Sequence, residues 1–92
     1  MQISFDWDQW NSQKNEIKHG ISALEAESAF YDPDHKLFHD IKHSASEQRY
    51  ILYGKSAYHN ILMLAFTVRK NKVRIISARK AAKKEREIYE EK

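Results

Sequence analysis

Arg79 and the lysines that follow it carry the most pointed chemistry in this chain. Arg79 closes a strand-like run, V-R-I-I-S-A-R, and stands at the head of a highly charged segment, K-A-A-K-K-E-R-E-I-Y-E-E. Lys80, Lys83 and Lys84 crowd the start of that segment, while Glu85, Glu87, Glu90 and Glu91 sit toward its end. Read as a helix opening near Arg79, this order opposes the macrodipole at both ends, at about 0.3 kcal/mol or more per charge. A helix N-terminus offers unpaired N–H groups to an anion, and an adjacent guanidinium can grip a phosphate through two parallel hydrogen bonds. Lysines on the next turn would extend a patch that tracks a phosphate backbone. The charge order then becomes favourable once a polyanion is bound. A plainer reading pairs Arg79 with a nearby carboxylate and leaves the lysines solvated.

Strand polarity decides which other basic residues can meet. The runs R-Y-I-L-Y-G-K (49–55), I-L-M-L-A-F-T-V-R (61–69) and V-R-I-I-S-A-R (73–79) read as three strands. Their connections, five and three residues long, are of hairpin length, so the strands alternate in direction. Arg49, Arg69 and the Lys70–Lys72 turn therefore gather at one end of a sheet. Lys55, His59 and Arg79 gather at the other, roughly 20 Å away at about 3.3 Å per residue. One phosphate cannot touch both groups, but a strand of nucleic acid can cross between them.

The remaining candidates are weaker. His35, His39 and His43 recur every four residues, which is helical ligand spacing. The local sequence K-L-F-H-D reads as a strand instead, so no metal site is expected. His59 in a turn has the right pKa range for proton transfer but is more simply solvated. Tyr50, Tyr53 and Tyr58 either stack on bases or pack. No phosphate-binding loop, G-x-S-x-G elbow or catalytic carboxylate pair is present.

Several elements must position these residues. I-S-F-D-W alternates and predicts a short first strand. A helix is expected from Gln9 to His19, with Trp10 and Ile17 on its apolar side and Gly20 as the left-handed residue after it. Ser22 and Glu25 make a capping box, S-x-x-E, flanked by Ile21 and Ala26 at hydrophobic-staple spacing. That box predicts a short second helix ending before Asp32-Pro33. The central run 61–69 is apolar on both faces, as expected for a strand covered on two sides. The order strand, two helices, three or four antiparallel strands and a C-terminal helix is an α+β layer architecture.

Composition narrows the class. Ninety-two residues make one small domain with a thin core. The chain has no cysteine, which favours a reducing compartment. The acidic N-terminal stretch and the shortness of the longest apolar run argue against a secretory signal or a membrane span, so a cytoplasmic protein is expected. Residues 1–68 hold six Lys/Arg against nine Asp/Glu, and residues 69–92 hold ten against four. A basic C-terminal third on a mildly acidic body points to a polyanion or an acidic protein as partner.

Taken in order, F-D-W-D, K-H-G-I-S, F-Y-D-P, R-Y-I-L-Y-G-K-S, F-T-V-R and R-I-I-S-A-R-K-A-x-x-x-E-R-E-x-Y-E resemble the BrnT family. Those proteins are toxins of bacterial type II toxin–antitoxin systems. The resemblance spans nearly the whole chain, and R-I-I-S-A-R-K-A is its most specific part. It implies a RelE-like fold with a small antiparallel sheet. It also implies ribonuclease activity that inhibits translation, without metal or cofactor, and a BrnA-like antitoxin that neutralises the toxin and carries a ribbon-helix-helix part for operator DNA. By position, the family's characteristic polar residues fall on His19, Arg49, Lys55, Arg69 and Arg79, which are the expected catalytic set. Lys70, Lys72, Arg74, Lys80, Lys83 and Lys84 are the expected RNA-binding residues. Gln48 and Val68 stand where the family usually carries acidic residues. A non-catalytic basic module that docks an acidic antitoxin or DNA is the alternative to the nuclease.

Overall fold

The computed structural model describes residues 2–91, without the side chains of Gln9 and Trp10. The described residues form strand β1 (Phe5–Asp6), helices α1 (Gln9–His19) and α2 (Ala23–Ser28), and strand β2 (Lys36–His39). Strands β3 (Tyr50–Lys55), β4 (Ile61–Arg69) and β5 (Lys72–Lys80) follow, and helix α3 (Lys83–Glu90) closes the chain. The strands make one sheet in the order β1-β5-β4-β3-β2. Strands β2 to β5 are antiparallel neighbours, but β1 runs parallel to β5. The sheet is thus mixed rather than wholly antiparallel. Two intervening helices carry the chain back across the sheet, which lets β1 meet β5 in parallel.

Local signals account for most boundaries. Gly20 takes φ 71° directly after α1, a conformation that costs other residues more. Ser22 Oγ accepts the Glu25 N–H at 3.1 Å, and the staple residues Ile21 and Ala26 are both in the core. The β4–β5 hairpin turns on Lys70 and Asn71, with φ of 50° and 64°. Positive φ at both central residues marks the tight two-residue turn whose twist suits flanking strands. It starts β5 one residue earlier than expected, pairing Lys72 with Arg69.

Helix α2 and the 3₁₀ turn Ala29–Tyr31 lay Ala26, Ala29 and Phe30 on one face of the sheet, against Leu52, Leu62, Leu64, Phe66, Ile75 and Ala78. Phe30 meets Phe5 and Phe66 edge-on, with ring centroids 5.2 and 5.1 Å away, a favourable aromatic geometry. Gly54 lies so close beneath this layer that an added Cβ would sit 2.6 Å from the Ala29 carbonyl oxygen. Gly54→Ala is therefore expected to lower stability by about 1–3 kcal/mol. Chemical denaturation checks this, and an unchanged midpoint would mean that α2 slides off the sheet at no cost.

The other helix packs differently from expectation. Ile17 is 88% exposed, and Trp10's side chain lies outside the described residues. The inward face of α1 is instead polar. Asn15 Nδ2 donates to Ala78 O and its Oδ1 accepts from Ala78 N, both at 2.9 Å. Asn11 Nδ2 donates to Ile76 O at 2.9 Å. Strand β1 covers β5 at Val73 and Arg74, and the two asparagines satisfy the backbone edge beyond it. An edge that would otherwise recruit another strand is closed by side-chain amides.

Nor is β4 covered on both sides. Its second face carries Met63 and Ala65, both only partly buried, and α3 reaches the sheet at β3. This open face is where the basic residues lie.

Candidate functional site on the open sheet face

Side chains alternate across a strand, so the register sorts them. Leu62, Leu64 and Phe66 point to the core, hence Met63, Ala65, Thr67 and Arg69 point the other way. Arg79 lies across from Met63, Ser77 from Ala65, Arg74 from Thr67 and Lys72 from Arg69. The extra residue near Ala65/Phe66 preserves this arrangement by restoring Ile75 to the core side. Arg69, Arg74 and Arg79 therefore share the outer face, with Tyr53 beside Met63 on β3.

At one end, Arg49, Arg69 and Arg74 line a cleft with Asn11, Glu47, Thr67 and Ile76. Arg69 donates from Nε and Nη2 to the two carboxylate oxygens of Glu47. This hydrogen-bonded pair holds the Glu47 carboxyl below its ordinary range. Arg74 Nε stands 3.5 Å from Asp6 Oδ2. Glu47 stands one residue before Gln48, the position at which the family usually carries an acid. Lys70 and Lys72 are exposed at the adjoining turn. His19 lines a neighbouring cleft with Lys14, Asn15 and Ser77, which shares Asn11 and Ile76 with the first one and which Arg79 does not line.

At the other end stands Arg79. Its Nη1 and Nη2 donate to Glu85 Oε1 and Oε2 at 2.8 and 2.9 Å. Hydrogen bonds from Arg79 hold the Glu85 carboxyl low, against the burial that would raise it, with help from the Ala82 N–H. The same pairing raises the Arg79 guanidinium further. Burial, reinforced by the Glu85 charge, raises the nearby Tyr53 hydroxyl, with Arg79 opposing. Among described charges here, Arg79 stays cationic, Glu85 ionised and Tyr53 protonated at neutral pH.

The charge order of the C-terminal segment now has a local account. Strand β5 runs through Arg79 and Lys80, so neither belongs to the helix, whose cap is Ala82. They remain in the strand because they pair across from Met63 and Leu62. Glu85 falls in the first turn of α3, where its Oε1 accepts the Ala82 N–H at 2.7 Å and its charge suits the dipole. Lys83 and Lys84, both exposed, remain at the positive pole, and Glu87 and Glu90 lie in the last turn at the negative one. The carboxylate partner that sequence left as the plainer alternative is Glu85.

Not every basic residue joins this face. Lys80 alternates with Arg79 and lines a cleft on the far side with His59, Asn60 and Arg86. Lys55, two residues beyond Tyr53, has the outer-face register but lines a separate pocket with Asp34, Lys36 and Tyr89. Lys55, His59 and Arg79 thus lie at one end of the sheet but in separate clefts. Of the tyrosines, Tyr50 stacks on Phe66 with centroids 5.5 Å apart, which makes it a packing residue. Tyr58 is exposed. Sequence reasoning missed Glu47, Glu85 and the Asp32–Tyr89 contact. An acid six residues after Arg79 was the available signal for Glu85, but a helix drawn from Arg79 put both on one helix and hid the pairing.

Helix α3 is seated by polar contacts. Tyr89 donates its hydroxyl to Asp32 Oδ2, which also accepts the Lys55 N–H at 2.7 Å. Burial raises the Asp32 carboxyl, but hydrogen bonds from Tyr89, Lys55 N–H and Asp34 N–H outweigh it and leave it low. Lys36 Nζ donates to the Glu91 carbonyl at 2.6 Å. Glu85 and Asp32 have ordinary values of 4.5 and 3.8 and are depressed in the fold. Their stabilisation is full above those values and disappears as pH falls through the lower folded ones. The melting temperature is expected to hold from pH 7 to about 5 and to fall below about 4.5. Loss beginning above pH 6 would mean that these two carboxylates do not set the acid limit.

Among the described residues, no three His, Asp or Glu side chains converge on a possible metal position. No described helix is long and apolar enough to cross a membrane.

All the residues of both arginine clusters fall within a family match. The family described as ribonuclease toxin, BrnT, of type II toxin–antitoxin system matches residues 7–85. This chain belongs to the BrnT family. The resemblance read from F-D-W-D through R-I-I-S-A-R-K-A is therefore one of membership, and a type II family implies an antitoxin partner. Among solved structures, the BrnT ribonuclease toxin of Brucella abortus matches with a TM-score of 0.65 and 22% identity, over 89% of this chain and 100% of that one. At that identity the likeness is one of fold, and it bears out the α+β arrangement. No curated protein sequence matches this chain.

Proposed function

We propose that this BrnT-family chain is an endoribonuclease of RelE-like architecture that lays single-stranded RNA across the open sheet face. The observation that carries this reading is the shared outward register of Arg69, Arg74 and Arg79, with Arg49 lining the same end as the first two. Arg79 and Arg69 are six cross-strand positions apart along β4, about 20 Å, a span that several backbone phosphates cover together. Lys70 and Lys72 extend the electrostatic footprint at the turn, and Lys83 and Lys84 extend it along α3.

The RNA supplies its own nucleophile. Its 2′-oxygen attacks the adjacent phosphorus, the bond to the 5′-oxygen breaks, and a 2′,3′-cyclic phosphate and a 5′-hydroxyl result. The 2′-hydroxyl proton leaves to solvent, and the departing 5′-oxygen gains one. Arg79 stabilises the added negative charge on the phosphoryl oxygens, the task for which a planar guanidinium is suited. Glu85 is held ionised but engaged, and Tyr53 is held protonated. Acceleration then comes from charge stabilisation and in-line positioning more than from a strong base, and no metal is invoked. Lys55 assists from the same end, while Arg49, Arg69 and His19 hold the flanking RNA.

A BrnA-like antitoxin would cover this basic face, with operator DNA contacted through the antitoxin. A second reading, a basic module that docks an acidic antitoxin without catalysis, draws support from His19 and His59 each lining a cleft that Arg79 does not. Inducing the chain alone, and examining growth and total RNA, separates them. Arrest with RNA fragments ending in cyclic phosphate supports the nuclease. Intact RNA alongside tight antitoxin binding favours the docking module.

A further inference from the structure

We propose that Glu85 is a positioning residue: it holds the Arg79 guanidinium by its outer edge and leaves another, the Nε–Nη2 edge, to face a substrate phosphate. This rests on the ribonuclease reading above and assigns Glu85 a part in it.

A guanidinium has five N–H groups in a fixed planar array, arranged as three edges. Glu85 occupies the outer edge, with Nη1 and Nη2 donating at 2.8 and 2.9 Å. The second hydrogen of Nη1 points back along the side chain to the Lys80 carbonyl, 3.2 Å away. The Nε–H and the remaining Nη2–H have no partner among the described residues. The Arg79 side chain is also about a third exposed, and its Nε is not among the fully buried nitrogens that lack a partner. Arg69 makes the contrast plain. It spends the same Nε–Nη2 edge on Glu47, so its best phosphate-binding fork is closed while that of Arg79 is open.

Glu85 is itself a fixed seat. Its Oε1 accepts the Ala82 N–H, which ties the carboxylate to the first turn of α3. That helix is pinned one turn later by Tyr89 on Asp32 and beyond it by Lys36 on Glu91. A phosphate arriving at the open edge breaks none of these contacts. One displacing Glu85 would break both of its hydrogen bonds to Arg79. The geometry therefore favours Glu85 as a support over Glu85 as a built-in competitor. A long side chain that arrives already oriented loses less freedom when it binds, which is the general advantage of preorganised electrostatics.

The test uses the full chain, a single-stranded RNA oligonucleotide and its all-deoxy counterpart, which lacks the nucleophile. Glu85→Gln is expected to lower kcat by roughly 10- to 100-fold with KM changed by less than about 3-fold. In an Arg79→Ala background the same substitution should cost nothing further, because the two act as a unit. A kcat equal to or above wild type would make Glu85 a competitor and overturn the proposal, as would an additive loss in the Arg79→Ala background. Side-chain ¹⁵N spectra give a readout independent of cleavage and of mutant folding. In the wild type, the Arg79 Nε–H resonance should move on adding the deoxy oligonucleotide while the slowly exchanging Nη signals, held by Glu85, persist. Loss of those Nη signals on binding would show Glu85 being displaced and would sink the proposal. If the wild type cleaves no RNA, the ribonuclease reading fails by itself, and the spectra still decide whether Glu85 seats Arg79 for a phosphate.

Discussion

Replacing Arg79 with alanine is expected to lower the rate of RNA cleavage by about 10²- to 10³-fold, the usual consequence of removing one preorganised charge stabiliser. Growth arrest on induction should disappear with it. The reason is positional. Arg79 is the arginine at the α3 end of the outer face, and its open donor edge has no neighbour to replace it, since Lys80 points to the other side of the sheet. The cost to folding should be small, about 1 kcal/mol, because the side chain is partly exposed and solvent screens the pair. Glu85 keeps its Ala82 N–H and can rehydrate. The measurement is a cleavage time course on the purified variant, with melting temperature and antitoxin binding recorded beside it. A variant that folds, binds its antitoxin and still cleaves at the wild-type rate would remove Arg79 from the reaction.

Asn15→Ala should have the largest effect on stability, about 2–4 kcal/mol. Asn15 is only 6% exposed and supplies both a donor and an acceptor to Ala78, with a weaker contact to Ile21 O at 3.4 Å. Alanine leaves a buried backbone N–H and C=O on β5 unpaired, and each such orphan costs about 1–3 kcal/mol. Asn15→Asp should fall between, because it can still accept from Ala78 N–H but cannot donate to Ala78 O. Urea denaturation of the three proteins gives the order directly. A loss under 0.5 kcal/mol for alanine would mean that water satisfies this edge and that α1 does not close it. Because Asn11 and Asn15 close the edge of the strand that carries Arg74 and Arg79, opening it is also expected to favour association between chains.

The asparagines show where sequence reading stopped. Helix α1 was legible from end to end, since Gly20 marks its stop and no breaker interrupts it. Its inward face was not, because apolar periodicity assigns Ile17 inward and the helix in fact meets a strand edge, which needs hydrogen bonds rather than oil. The same holds for β1. Its existence follows from alternation, but its parallel pairing depends on where α1 and α2 return the chain. Glu25 is another case. The capping-box spacing located α2 correctly, yet the Glu25 carboxylate accepts from Ser56 Oγ and Asn60 Nδ2, both at 2.7 Å. It thereby fastens the β3–β4 turn instead of closing its own helix.

By itself the sequence determined the succession of elements, the antiparallel β3–β4–β5 meander, the gathering of Arg49 and Arg69 at one end of the sheet, and family membership through its ordered motifs. These are consequences of local periodicity, turn chemistry and strand polarity, which act over a few residues. Only the tertiary structure decided that Arg74 and Arg79 share a face while Lys80 faces the other way, that β5 continues through Lys80, and that Glu47 and Glu85 are the arginines' partners. Those outcomes depend on cross-strand register and on how α3 docks. A shift of one residue in register would exchange the two faces of β5, and the contacts that fix the register join residues far apart in the chain.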